Sequence, residues 1–547
     1  MGSGDRLDGD RPADPAIVFC SGEENILAKG RLLYPERGPS RFARRMAEVA
    51  LEESRRSGPA RLILVLSPGL WFGVTELLAG LPADGALLCV ETDPELAALS
   101  RAHMPAGLLA DRRVGFVAGR DPRAWVEAAA RLGRFRRCHP VRLSGGADLD
   151  QQSYRDAAFV LDEDFSAYWR NRASLAAMGR LWVRNIFRNL SRLKEMAQRT
   201  LTPISGATLV CGAGPSLETA LPLVARHRDK LFVVAADTAA GPLALAGIVP
   251  DLVVCLEAQI WNLRDFLPLE GAEFALLADL SSHPSSFGIP GAINSLSIVR
   301  IFAGALMERL RSLGLPALDL PPLGSVGVQA LHVAWRLGAD PLFVAGLDFA
   351  FEPGKTHARG SPALLADLAT ASRLSPLGSR PLATSFREGV RPANREGSLT
   401  DPVLSRYAEQ AAEELGISGA KVFDLRGDFG LPLGAERLDA ASANRLLGEL
   451  PSRRAWGRGV QDSGDTAARA REFLAAESKR LLVLEKMLRG GSRPDDSTLL
   501  GAIAELDYLL WPMPDAERIA ALPQDLLNRV LVETEYWLAQ LADITAL

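Results

Sequence analysis

The chain has 547 residues, 48% apolar and 23% charged, with 62 Lys and Arg against 66 Asp and Glu and a formal charge of −4. That length leaves room for roughly two to four domains with substantial cores, and the slight acidic balance argues against a dedicated nucleic-acid binder. Five scattered cysteines without a Cys-x-x-Cys pair suit thiols in a reducing cytosol better than disulfides or a zinc site.

The start, MGSGDRLDGDRPADPA, is acidic and lacks the basic-then-apolar layout of a secretory signal. The most apolar windows, 62–81 and 231–256, are broken by Pro, Gly, Asp or Glu, so no membrane span and a cytoplasmic, soluble protein are expected. Residues 1–40 read as irregular. The first domain, 1–160, reads as Rossmann-like: a helix near 41–56, the strand RLILVLSPG, a helix, then the strand ALLCVETDPE. Continuous Leu- and Val-rich runs flanked by Gly and Pro suit buried parallel strands. Glu91 ends the second strand where a ribose-binding acid would sit. Proline and bulky aromatics in Ser67-Pro68-Gly69-Leu70-Trp71-Phe72-Gly73 obstruct close approach of a phosphate, so this unit is expected to be structural.

Residues 161–204 read as a helical connector, with Leu181, Ile186, Leu190 and Leu193 at helical spacing and an arginine-rich, solvated face. Asp148-Leu149-Asp150 and Asp162-Glu163-Asp164 have the Asp-x-Asp form of many metal-dependent transferases. They lie away from strand ends, and no metal site is expected from them. The central domain, 205–430, alternates strands (ATLVC, LFVVAA, DLVVCL, FALLA, LSIVRIF, PLFVAG, KVFDL) with helices, the pattern of a doubly wound sheet. Within it, 359–400 is a long Ser-, Arg- and Pro-rich insertion, a length that is usually functional or mobile. Strand signals stop at 431–547, a helical C-terminal domain in which Asp465 caps a helix carrying Leu474, Leu481, Leu484 and Leu488 on one face. It is a packing or partner-binding element and a candidate surface for homo-oligomerisation.

In an open parallel sheet, ligands bind at the carboxyl ends of the strands, and four clusters stand there. In Cys211-Gly212-Ala213-Gly214-Pro215-Ser216, the glycines leave room for an anion, Pro215 suits a first helical turn, and Ser216 with the amides behind it can face a phosphate. Asp237, followed by Thr238, lies 23 positions after Gly214, near the roughly 20-residue spacing of a ribose-binding acid. Glu257 is an acid at the next strand end. The fourth cluster joins Gly324-Ser325-Val326-Gly327, the strand end Gly346-Leu347-Asp348, and Gly354-Lys355-Thr356-His357-Ala358-Arg359-Gly360. A lysine, a histidine and an arginine among small residues suit an anion site with a general base. His283 is a weaker competitor for that base, His332 reads as packed within a helix, and His103, His139 and His227 read as surface residues.

Taken in order, GAGPSLE, AADTAAGPLALAGIVPDLVVCLEAQ, GSVGVQALHVAWRLGADPLFVAGLDFAF and GKTHARG resemble the Maf family of motility-associated flagellin glycosyltransferases. That family shares its central domain with MptE-like pterin pyrophosphokinases and is similar to bacterial sialyltransferases that use CMP-sugars without metal. The four motifs are specific as a set; the resemblance covers about 160–430 well and 40–150 more weakly. It implies an α/β protein with a Rossmann-like, doubly wound central domain of sialyltransferase type, a smaller Rossmann-like N-terminal domain and an α-helical C-terminal domain.

Carried over by position, the resemblance implies that Gly212, Gly214, Pro215 and Ser216 face the phosphate and that Asp237 and Thr238 lie near the ribose or base. Ser325 and Gly346 would line the nucleotide pocket, with Glu257, Gly324 and Thr356 in the same binding set. His357, Asp348 and Lys355 form the implied catalytic set: His357 as acceptor base, Asp348 beside the pocket, Lys355 against the departing phosphate. Arg359 would pair with a sugar carboxylate. Glu257 stands where the family's LDPQ-like stretch has Asp, and Ala258 replaces the proline. The implied reaction is inverting transfer of a nonulosonic acid (pseudaminic, legionaminic or sialic) from a CMP-sugar to Ser or Thr of flagellin, with no cofactor. Two alternatives stay open: a pyrophosphokinase acting on a pterin, with Mg²⁺ held by Asp237, Glu257 and Asp348, and a non-catalytic nucleotide-binding protein that holds flagellin.

Overall fold

The computed structural model describes residues 15–56, 62–194, 196, 199–300, 304–394, 397–457, 459, 465–490, 494–513 and 522–546. The first 14 residues of the acidic start, and Ile301 and Phe302 of one expected strand, lie outside them. The chain divides into two compact units, Met1–Ala176 and Ala177–Leu547.

The first unit opens with an antiparallel meander of β1 (Ala16–Cys20), β2 (Glu23–Ala28) and β3 (Arg31–Leu32), where the sequence reading expects irregular chain. The reason is local. Ser21-Gly22 and Lys29-Gly30 both take positive φ at each residue, the two-residue hairpin geometry that matches strand twist. A four-stranded parallel sheet follows, built from β4 (Leu62–Leu66), β5 (Ala86–Glu91), β6 (Val114–Ala118) and β7 (Cys138–Arg142) in the order β6-β5-β4-β7. Its Glu91 is buried and accepts hydrogen bonds from Ser67 Oγ and Tyr154 Oη, both at 2.6 Å. The loop after β4 is closed by Tyr34, whose hydroxyl donates to the Pro68 carbonyl and accepts from the Leu70 amide. Trp71 in the same loop is buried. Glu91 and the loop after β4 are thus held by protein groups, Ser67, Tyr154 and Tyr34.

The expected connector is a single helix, Gln151–Ser191, which begins ten residues before the predicted 161. Near its end, Asn185 donates to the carbonyls of Ala258 and Ser281, and Asn189 to those of Leu280 and Ser282. These amides fix the helix end on the strand-end loops of the second unit.

That unit is built on a sheet of β8 (Thr208–Cys211), β9 (Phe232–Ala236), β10 (Leu252–Cys255), β11 (Phe274–Asp279), β12 (Ala292–Val299), β13 (Ala317–Leu320) and β14 (Leu342–Ala345). After a small hairpin of β15 (Arg391–Pro392) and β16 (Leu399–Thr400), β17 (Val422–Asp424) and β18 (Glu436–Arg437) complete it. Among the described residues the order is β13-β12-β11-β10-β9-β8-β14-β17-β18, nine strands, all parallel. Alternate residues of each central strand face opposite layers. Val210, Val234, Val254 and Val344 pack under the helices Val326–Arg336 and Pro402–Ser418. Leu209, Cys211, Val233 and Phe343 pack under Leu217–Arg226 and Ala440–Glu449. Burial on both faces is why these strands are continuous apolar runs rather than alternating ones. Among the described residues the C-terminal region holds the long helices Asp465–Arg489 and Gln524–Ala546, with the shorter Asp496–Glu505 and a single turn at Asp507–Leu510 between them. Leu474, Leu481 and Leu484 are buried there, and no helix among the described residues is long and apolar enough to cross a membrane.

Candidate functional site

The strand order reverses between β8 and β14, the topological switch point of the sheet, where the loops leaving two neighbouring strands diverge and open a crevice. Here those loops are interlocked. Gly212 N donates to Ala345 O at 2.9 Å, and Gly214 N to Gly346 O at 2.8 Å. A Cβ on Gly212 would collide with the Gly346 carbonyl, one on Gly214 with the Asp348 carboxylate, and one on Gly346 with the Gly212 carbonyl. The sequence reading assigns the space at Gly212 and Gly214 to an anion. The structure fills that space with the neighbouring loop, so these glycines answer to close backbone packing.

Asp348 is buried and receives both donors of Ser216, the amide at 2.8 Å on one oxygen and the hydroxyl on the other. Burial pushes its carboxyl up to about 6 against the stabilising Ser216 hydrogen bonds. The Ser216 hydroxyl expected at the phosphate is therefore committed to Asp348. The start of the helix Val326–Arg336 also lines the crevice, and Ser325 caps it by accepting from Gly327 N at 3.2 Å.

A cavity of about 480 Å³ lies over the crevice. Of the residues singled out in the sequence, it brings together Gly212, Gly214, Asp237, Thr238, Glu257, Gly324, Ser325, Gly346, Asp348, Thr356 and His357. Pro215, Ser216 and Lys355 line a neighbouring cavity of about 470 Å³ instead. Arg359 lines a third, of about 670 Å³, which shares Thr356, His357 and Thr384 with the first. Lys355 Nζ and Arg359 Nε each stand 3.0 Å from a Glu218 carboxylate oxygen. The two cations expected to meet a ligand are thus paired with a glutamate that the sequence reading did not single out. His357 Nδ1 lies 3.0 Å from Thr356 Oγ1, and burial lowers the imidazole below its ordinary value, so it is neutral at neutral pH. The rival His283 lines a separate cavity with Arg188 and Arg471, and His332 pairs with Glu414 at 2.7 Å.

Asp237 and Glu257, which line this cavity, and Asp265, which does not, are unusual acids. Asp237 and Asp265 are buried, and Oδ2 of each has no hydrogen-bond partner. Burial, reinforced by Asp265, pushes Asp237 up to about 8. Burial and then Glu257 push Asp265 up to about 7, and burial also raises Glu257. A carboxyl raised in the folded state contributes stability that is present below its unfolded value and is lost as pH rises through the folded one. The melting temperature is thus expected to fall from about pH 5 to about pH 9, and to fall less in Asp237→Asn. An equal fall in both proteins would remove Asp237 as the source.

The alternative Mg²⁺ set of Asp237, Glu257 and Asp348 does not fit a divalent cation well. Both Asp348 oxygens are taken by Ser216, and among the described residues no three His, Cys, Asp or Glu side chains gather as a metal-holding group. Sequence reasoning missed Asn262, Thr384, Asp401 and Tyr407, which line the main cavity. The first two carry no local signal. Asp401-Pro402 is a legible helix start, with the Asp401 carboxylate accepting from Leu404 N, and Tyr407 follows on that helix. Also missed was Arg426 at the end of β17, which is buried and bonded to Asp424 and to the carbonyls of Leu347 and Leu431. It holds the backbone immediately before Asp348.

Residues 182–354 match the family described as 6-hydroxymethylpterin diphosphokinase MptE-like. A Treponema pallidum (strain Nichols) protein described only as uncharacterized is 29% identical over 564 residues, covering 98% of this chain and 96% of its own. A second uncharacterized protein of the same organism is 35% identical over 98 residues, 17% of this chain and 46% of its own. The structure of a Maf glycosyltransferase from Magnetospirillum magneticum AMB-1 superposes with a TM-score of 0.57 at 13% identity, over 98% of this chain and 92% of that one. The chain therefore has the Maf glycosyltransferase fold along nearly its whole length, with an MptE-like domain in its middle.

Proposed function

We propose that this chain is an inverting glycosyltransferase that moves a nonulosonic acid, of the pseudaminic, legionaminic or sialic type, from its CMP-activated form to Ser or Thr hydroxyls of flagellin. The observation that carries this reading is the convergence of the four sequence motifs on one crevice at the switch point of a Maf-like fold. As CMP leaves the anomeric carbon, positive charge grows on the sugar and negative charge on the phosphate. Preorganised amides at the start of the helix Val326–Arg336, with the positive end of its dipole, oppose the second charge without reorganisation. The acceptor hydroxyl attacks from the opposite face and gives its proton to His357, which is neutral and so able to accept it. Asp348 serves as a positioning residue, since its carboxylate is spent on holding Ser216 and the loop after β8. Lys355 and Arg359, balanced by Glu218, stand at the neighbouring rim, where an acidic sugar could exchange with that glutamate.

A thermal-shift titration tests the reading. CMP without metal should raise the melting temperature, by the equivalent of about 2.7 kcal/mol at a hundredfold excess over its dissociation constant. A response to ATP with Mg²⁺ alone, and none to CMP, would sink it in favour of pyrophosphoryl transfer.

A further inference from the structure

The insertion beside the site contains two short helices, Pro362–Thr370 and Ser379–Thr384, that bury almost nothing. A helix as apolar as PALLADLAT ordinarily turns its apolar stripe to a core. This one buries only Asp367, while Leu365 and Leu368, on one face at i and i+3, are 47% and 52% exposed. The second helix buries no side chain; its Leu382 is 45% exposed, and Phe386, two residues past its end, is 81% exposed. Leu374, between the helices, is 93% exposed. Apolar side chains this dense on a short surface segment mark a contact surface.

Their setting indicates what they contact. Arg373, Arg380 and Arg387 are exposed among them, and Glu388 is the one exposed acid in 361–388. The segment also forms a wall of the reaction site. Thr384 lines the main cavity, and Arg380 and Arg387 line the 670 Å³ cavity that opens onto His357.

We infer that residues 361–388 are the docking platform for the protein acceptor, and that they receive a segment with an apolar helical face bordered by carboxylates. The inference rests on the proposed transfer to a protein hydroxyl. A docked chain lying on this rim has its Ser or Thr side chains within reach of the cavity that holds His357. The exposed leucines and Phe386 supply the apolar contact, and the arginines select an acidic border and set its orientation.

The test uses the full chain, purified flagellin monomer, CMP, and vesicles of phosphatidylglycerol and phosphatidylcholine. The triple variant L365S/L368S/F386S removes only exposed side chains, so its melting temperature and its stabilisation by CMP should match the wild type. Its affinity for flagellin, measured by titration calorimetry, should fall about tenfold or more, and F386A alone should fall in the same direction. Unchanged flagellin affinity in the triple variant, or no flagellin binding by the wild type, overturns the proposal. Vesicle binding that the triple variant loses while flagellin binding persists overturns it in favour of a membrane contact. Loss of flagellin binding in the variant, together with a wild type that ignores CMP, leaves the docking surface standing and defeats the donor reading.

Discussion

Replacing Arg426 with alanine is expected to destabilise the unit carrying the nine-stranded sheet by about 3–5 kcal/mol, the cost of leaving one partner of a buried ion pair uncompensated. Both side chains of the pair are fully buried, with Arg426 Nε and Nη2 at 2.9 and 2.7 Å from the two Asp424 oxygens. Arg426 Nη1 also donates to Leu347 O at 2.7 Å, and Nη2 to Leu431 O at 3.0 Å. In the alanine variant the Asp424 carboxylate would keep the main-chain amide of residue 426, 2.9 Å from Oδ1, and as a charged partner Arg437, 3.7 Å away. Urea denaturation measures the loss, and a change below about 1 kcal/mol would contradict the account. The double variant D424L/R426M separates charge from clamp. Exchange of both ions for apolar side chains should restore most of the stability. The Leu347 carbonyl would remain unclamped, so CMP affinity should stay reduced even where stability returns.

The second large effect concerns His357. Its replacement by alanine should lower transfer about a hundred- to ten-thousandfold, the usual range for a lost general base, while CMP affinity changes by less than about twofold. The pH profile carries the sharper signature. Burial holds the wild-type imidazole below 6.5, so wild-type transfer should fall only as pH drops below that value. The variant should lose that acid limb. A normal acid limb in His357→Ala would assign the base elsewhere, and the separate cavity of His283 makes it a poor replacement.

Much of this site was legible because strand-end chemistry is written locally. Gly-x-Gly-Pro-Ser after an apolar run, an acid closing each of the next two strands, and Ser-x-Gly opening a helix all point to one edge of a parallel sheet. Eleven of the fifteen residues singled out for the site do line one cavity. The partners of these residues were not legible. Asp348 and Ser216 are 132 positions apart, and Glu218 lies 141 from Arg359. No local pattern reports such pairings, so a serine that reads as a phosphate ligand proves to be a loop anchor. The meander β1–β3 was missed for another reason: its hairpin turns were visible as Ser-Gly and Lys-Gly, but its strands are short and half exposed.

The sequence by itself determined the kind of protein: parallel strands from continuous apolar runs, helix starts at Ser325 and Asp465, and a helical C-terminal region. These follow from side-chain burial and backbone capping over a few neighbouring residues. Only the tertiary structure decided which strands lie together, and with that what the motifs are for. The adjacency of β8 and β14 crosses well over a hundred residues. It turns Gly212, Gly214 and Gly346 into a backbone interlock, spends Ser216 on Asp348, and leaves the capped start of another helix lining the crevice. Close packing of main chain against main chain admits only glycine, whatever the ligand beyond it.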